Sequence, residues 1–227
     1  MNLRDKHAEI LSLYNENIDS IEFLYKKVMA VFESRRLRGV VHSIRHRVKD
    51  IDHLLEKIER KNNEDDGKPE ADRRGHITRD NFFERITDIA GVRVLHLHQS
   101  QFEVIHGIIM SLVNSGEFAL FEAPKAYTWD PDSIGFFRGL GIDVHQKESY
   151  YTSIHYVLKP KEDSQITCEV QVRTLMEEVW GEIDHTMNYP SEHHDEQCKE
   201  NIRVLARLVS AGGHLADSIM KRYGPRQ

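Results

Sequence analysis

Between Ile166 and Tyr189 the spacing of apolar residues changes from two to four. Ile166, Cys168, Val170 and Val172 alternate with Thr167, Glu169, Gln171 and Arg173, which predicts a strand with one buried face. Leu175, Val179, Ile183 and Met187 then recur every fourth residue, which predicts a helix burying that stripe, with Thr174 as its cap. The polar face of the strand carries an acid, an amide and a guanidinium in a row.

The same reading extends along the chain. Leu3 to about Arg36 keeps helical spacing through Ile10, Leu13, Tyr14, Ile18, Ile21, Phe23, Leu24, Val28 and Phe32, uninterrupted by Pro or Gly. Val40 to Lys49 reads as a strand with basic residues. Asp50 opens a helix that turns Ile51, Leu54, Leu55 and Ile58 inward. Residues 61–80 have almost no apolar content and predict a mobile, lid-like loop. A short helix over Asn81–Thr87 precedes a strand from Gly91 to His98, and a helix from Phe102 to Asn114 ends at Ser115-Gly116. Phe118–Phe121 and Ile142–Gln146 read as short strands around an irregular stretch, 124–140, that contains a small helix. From Thr152 the alternation returns, with Ile154 and Tyr156 on one face and Ser153, His155 and Val157 on the other, and Asp163-Ser164 closes a hairpin. Ser191 to Asp195 is a linker. Glu196 to Arg222 forms a last helix, with Ile202, Leu205, Leu208, Val209, Leu215 and Ile219 inward. These elements predict an α+β fold: a central mixed sheet of about five strands with flanking helices, plus N- and C-terminal helices.

Composition narrows the class of protein. The chain has 227 residues, 30% of them charged and 39% hydrophobic, which suits one substantial soluble core. No apolar run reaches the length of a membrane span, and the first residues do not resemble a signal peptide. Only Cys168 and Cys198 are present, which points to a reducing, cytoplasmic setting. The net charge of −6 gives no global pull on nucleic acid, so an anionic ligand needs a local basic cluster. Arg47, Lys49, Lys57 and Arg60, at a strand end and on the following helix, can converge on a polyphosphate. Asp88, at a strand mouth, is a candidate cation ligand. Tyr151 followed by the strand-borne His155 can stack a base and reach a phosphate or ribose. His193, His194 and Asp195 are adjacent rather than at ligand spacing, and are not read as a metal site.

Five blocks bear a resemblance in order and spacing: Arg47-Val-Lys49, Asp88-Ile-Ala-Gly-Val-Arg93, Tyr151-Thr-Ser-Ile-His155, Glu169-Val-Gln-Val-Arg173-Thr, and Trp180 with Asp184-His185. Together they resemble the synthetase domain of the RelA/SpoT superfamily, over roughly residues 38–190. The resemblance is to a small, synthetase-only member, with residues 1–37 as an N-terminal helical segment and 191–227 as a C-terminal helix. It implies a nucleotidyltransferase-like fold and transfer of the β,γ-pyrophosphate of ATP to the 3′-hydroxyl of GDP or GTP, giving (p)ppGpp and AMP in a stringent-response role. It also implies that Arg47 and Arg93 sandwich the adenine, while Lys49, Lys57 and Arg60 neutralise the triphosphate. Asp88 and Glu169 would hold Mg²⁺, with Glu169 also the base. Tyr151 would stack on the acceptor, His155 would touch it, and Gln171 and Arg173 would position phosphates or the metal carboxylate.

The chain departs from the family pattern in three ways: Tyr150 stands where Gly is usual, His53 stands where Ser is common, and the stretches 62–80 and 129–137 are longer than or different from those of compact members. The departures leave open a toxin-like acceptor, an adenosine nucleotide or the tRNA 3′ end. For tRNA, Arg35, Arg36 and Arg38, or Lys221, Arg222 and Arg226, would supply a basic patch. A non-catalytic nucleotide sensor is the alternative from another class. An antitoxin partner and a homo-oligomer through the terminal helices are both compatible with the reading.

Overall fold

The computed structural model describes residues 2–188 and 195–224. The expected domain boundary at 190/191, His193, His194 and Arg226 lie outside the described residues.

The first long helix forms where the periodicity predicts it. A single turn, α1 (Leu3–Lys6), leads into α2 (Ala8–Phe32), and Ile10, Tyr14, Ile21, Leu24, Val28 and Phe32 are all buried. At about 1.5–3 kcal/mol for each large apolar side chain removed from water, six such residues make α2 part of the main core rather than an appendage. Then follow β1 (Ser43–Val48), α3 (Ile51–Asp66), α4 (Phe82–Arg85), β2 (Ala90–His96), α5 (Ser100–Asn114), β3 (Ala119–Leu120), β4 (Lys125–Thr128), α6 (Pro131–Gly139), β5 (Asp143–Gln146), β6 (Ser153–Lys159), β7 (Cys168–Thr174), α7 (Leu175–Asn188) and α8 (Glu196–Tyr223).

The strands form one mixed sheet in the order β1-β2-β7-β6-β4-β5, with β3 pairing separately on β6. β2 runs parallel to β7, and β4 parallel to β5; the other pairs are antiparallel. Among the described residues the sheet has seven strands, where about five were expected. Lys125–Thr128 lies in the stretch read as irregular, and it is a strand because it pairs on both sides.

Alternation decides what each sheet face carries. Val92, Val94, Ile154, Tyr156, Val170 and Val172 point into the core shared with α2, α3 and α5. The opposite face presents Arg93, His155, Glu169, Gln171 and Arg173, and α7 and α8 lie on that side around a smaller cluster of Trp180, Ile202 and Ala206.

Two expectations about packing are corrected. On α7, Val179 and Ile183 are exposed while Glu178 and Trp180 are buried. The helix turns its charged edge inward because arginines on the sheet face need a counter-charge, and Trp180 Nε1 donates to the Ile202 carbonyl at 3.0 Å. On α8, Leu208, Leu215 and Ile219 are exposed, and the buried stripe is Ile202, Ala206 and Asp217. Asp217 accepts from the backbone and hydroxyl of Ser100, tying α8 to the start of α5.

The expected loop over 61–80 also differs. α3 continues to Asp66, and Asn62 and Asp65 are buried, accepting from the Ile77 and Arg74 amides at 2.9 and 3.1 Å. Arg85 donates to the Arg74 and Gly75 carbonyls. The polar residues that suggested a lid are instead the anchors of a pinned segment.

Candidate active site

Strand register assembles the site. On one sheet face, Arg47 lies opposite Gly91, which lies beside Glu169; one step along, Arg45 is opposite Arg93, then Gln171, then His155. Gly91 therefore leaves the floor between Arg47 and Glu169 open, and nothing but the Glu169 carbonyl, 4.0 Å away, would meet a side chain there. The cleft above this row has a volume of about 620 Å³ and is lined by Arg45, Arg47, Asp88, Arg93, Tyr151, Glu169, Gln171 and Arg173 from the sheet side, and by Gly181, Glu182, Asp184 and His185 of α7.

Asp88 sits just before β2, where the Lys49 amide donates to the Ile89 carbonyl and so sets β1 beside it. Its Oδ2 accepts from Lys57 at 2.6 Å and pairs with Lys49 at 3.2 Å. Burial alone would raise this carboxyl, but the two ammonium groups outweigh it and hold it down to about 2. Its other oxygen, Oδ1, is buried with no partner. Lys49 is itself buried, and desolvation lowers its pKa against the pull of Asp88.

Glu169 is held through both oxygens. His155 Nδ1 lies 3.1 Å from Oε1, and Gln171 Nε2 donates to Oε2 at 2.8 Å. Burial and the charge of Asp88 push this carboxyl up; the bonds and charge of His155, with Gln171, bring it below its ordinary value. A carboxylate only accepts, so His155 carries a proton on Nδ1, and in the neutral ring Nε2 accepts from the Tyr151 hydroxyl at 3.0 Å. Two ionised carboxylates on neighbouring elements, one with an unsatisfied buried oxygen, form a donor set that suits a hard divalent cation.

The guanidinium groups form a second assembly. Glu178, 3% exposed, pairs with Arg93 at 2.7 Å, Arg173 at 2.6 Å and Arg45 at 3.2 Å. Arg173 lies over the Tyr151 ring, 5.9 Å from its centroid. Helix α7 is fixed at this place by a reciprocal cap: the Glu177 amide donates to Thr174 Oγ1, and the Thr174 amide donates to Glu177 Oε2. Gly181 is required by close approach, since a Cβ there would lie 2.6 Å from Arg173 Nη1.

Of the residues expected from sequence, Arg47, Asp88, Arg93, Tyr151, Glu169, Gln171 and Arg173 line one cleft. Lys49 and Lys57 reach it through Asp88, and His155 through Glu169. Arg60 is not brought there; it is exposed on α3 and pairs with Glu64. Sequence reasoning missed Arg45, Glu178, Gly181 and Glu182. One signal was available: two glutamates four apart on one helix repel unless cations face them.

Elsewhere, Asp130, Asp132 and His214 bring three ligand-type atoms together. Asp130 already caps α6 and bonds Ser133 and His214, so this group belongs to the packing of α6 against α8.

The mixed sheet thus carries two carboxylates, Asp88 and Glu169, and several arginines around one cleft, with lysines behind Asp88. Residues 46–194 match the sequence profile of the region found in RelA / SpoT proteins, and the chain belongs to that family. Sequence comparison with curated proteins gives no significant match. Among solved structures the chain resembles a GTP pyrophosphokinase family protein from Streptococcus pneumoniae, with 19% identity, coverage of 98% of this chain and 96% of that one, and a TM-score of 0.64. It also resembles small alarmone synthetase 1 from Bacillus subtilis, with 21% identity, coverage of 92% and 94%, and a TM-score of 0.62. That synthetase bound to its product pppGpp has 21% identity, covers 91% and 92%, and gives a TM-score of 0.57. At these identities the likeness establishes a shared fold.

Proposed function

We propose that the protein is an ATP-dependent pyrophosphokinase that moves the β,γ-pyrophosphate of ATP to the 3′-hydroxyl of GDP or GTP, forming (p)ppGpp and releasing AMP. The observation that carries this reading is the placement of Asp88 and Glu169, both ionised, in one cleft ringed by arginines and lysines. Family membership and the pppGpp complex of the B. subtilis synthetase support it. No helix among the described residues is long and apolar enough to cross a membrane.

In this reading the acceptor oxygen attacks the β-phosphorus, the bond to the α-phosphate oxygen breaks, and AMP leaves with that oxygen. Such transfers ask mainly for alignment and charge neutralisation. Asp88, through its free oxygen, and Glu169 would hold Mg²⁺, which would offset charge on the transferred phosphates. Lys49, Lys57 and the arginines supply further positive charge, and Arg47 and Arg93 offer planar cations to the adenine. Tyr151, backed by Arg173, offers a ring to the acceptor base. Glu169, with His155 on its Oε1, takes the acceptor proton. The synthetase unit is taken as residues 38–190, flanked by the terminal helices.

The test is incubation with γ-labelled ATP and, in separate reactions, GDP, GTP, ADP, ATP or deacylated tRNA, followed by separation of products. Label moving to GDP or GTP is the expected result. Label moving only to an adenosine nucleotide or tRNA would replace the acceptor, and binding without transfer would make the protein a sensor.

A further inference from the structure

Glu178 and Glu182 are one turn apart on α7 and touch the same arginines, yet they differ in one respect that decides their roles. Glu178 is 3% exposed, accepts hydrogen bonds from Arg45 and Arg93 on Oε1, and is ion-paired with Arg173. Glu182 is 52% exposed, its Oε1 lies 2.6 Å from Arg93 Nη1 and 3.9 Å from Arg45 Nη1, and its side chain borders the cleft. We infer that Glu182 is a displaceable counter-ion: it occupies Arg93 and Arg45 in the free protein and gives them up when a nucleotide enters, so it sets nucleotide affinity without taking part in transfer. The inference rests on the proposed use of this cleft for ATP and extends it to a residue outside the five sequence blocks.

The physical argument concerns how tightly each carboxylate is held. Removing Glu178 would leave the buried Arg173 guanidinium without a counter-charge, so Glu178 is held in place. The Glu182–Arg93 pair has one exposed and one half-buried partner, 52% and 28% exposed, and is worth about 1 kcal/mol, so a polyphosphate or an aromatic base can replace it at small cost. Once displaced, Glu182 remains a negative charge at the cleft wall and opposes an incoming triphosphate. Both effects act in the same direction. The wall carries Arg45, Arg93 and Arg173 against Glu178 and Glu182, and loss of the outer acid leaves it more basic.

The experiment measures binding of the non-hydrolysable analogue AMPCPP by calorimetry, and transfer kinetics in parallel, for the full chain and for Glu182→Gln and Glu182→Asp. Glu182→Gln is expected to bind AMPCPP about three- to tenfold more tightly, with the gain shrinking as salt is raised. Glu182→Asp, which keeps the charge, should stay within about twofold of the unsubstituted protein. Unchanged or weaker binding by Glu182→Gln, with a melting temperature like that of the parent, would overturn the displaceable role while leaving the proposed function intact. Failure of all three proteins to bind AMPCPP would overturn the proposed function, and this inference with it.

Discussion

Asp88→Asn offers a quantitative check on the charge arrangement at the mouth of β2. The substitution keeps the shape of the side chain and removes its charge, leaving Lys57 and Lys49 facing an amide instead of a carboxylate 2.6 and 3.2 Å away. The folded protein holds this carboxyl at about 2, against an ordinary value of 3.8. That difference corresponds to about 2 kcal/mol of stability at neutral pH, at about 1.4 kcal/mol for each tenfold change in proton affinity. The sign follows from the folded value being the lower one. The stabilisation is complete above the unfolded value and is lost as pH falls through the folded value. Asp88→Asn should therefore be about 2 kcal/mol less stable than the parent at pH 7, and the gap should narrow by about 1 kcal/mol by pH 3. Urea melts of both proteins across this range measure it. A gap of the same size at pH 3 and pH 7 would refute the reasoning, because the loss would then come from shape or hydrogen bonding rather than from charge. Transfer should be absent in the variant at every pH.

Glu178→Gln should cost about 3–5 kcal/mol, since it leaves the buried Arg173 guanidinium without its counter-charge; a melting curve like that of the parent would remove Glu178 from its central position. Gly181→Ala gains helix propensity of up to about 1 kcal/mol, but its methyl would lie 2.6 Å from Arg173 Nη1 and push that guanidinium from its place beside Glu178 toward the cleft. Stability should change little while transfer falls at least about tenfold, read from initial rates. Tyr151→Ala should weaken acceptor binding about ten- to a hundredfold through lost stacking and leave AMPCPP binding nearly intact, as titrations with each nucleotide would show.

How much of this was legible in the sequence depended on whether a residue's partner lay nearby in the chain or across the fold. Alternation through Cys168–Thr174 and Ser153–Lys159 placed Glu169, Gln171, Arg173 and His155 on the correct face, because a period of two leaves only two choices. The buried stripe of α2 was equally plain. The stripes of α7 and α8 were not: Val179, Ile183 and Leu208 have helical spacing, yet α7 is rotated by the pull of Arg45, Arg93 and Arg173 on Glu178, and no local pattern records that force. The same holds for Asn62 and Asp65, which looked solvated and turned out to anchor the following segment. Arg45 was passed over because its significance lies in being the register partner of Arg93.

The position of β7 in the sheet has a consequence for how the chain reaches its final form. β2 and β6 both pair with β7 and not with each other, so the last strand in the chain is the one that joins the two halves of the sheet. A nascent chain that has not yet delivered Cys168–Thr174 holds β1–β2 and β6–β4–β5 as separate ribbons, each with a bare edge open to unwanted pairing. The two carboxylates come together only when this late, non-local closure is made, a slow kind of step. A form without β7 in place therefore lacks the cleft, and competence arrives with completion of the sheet.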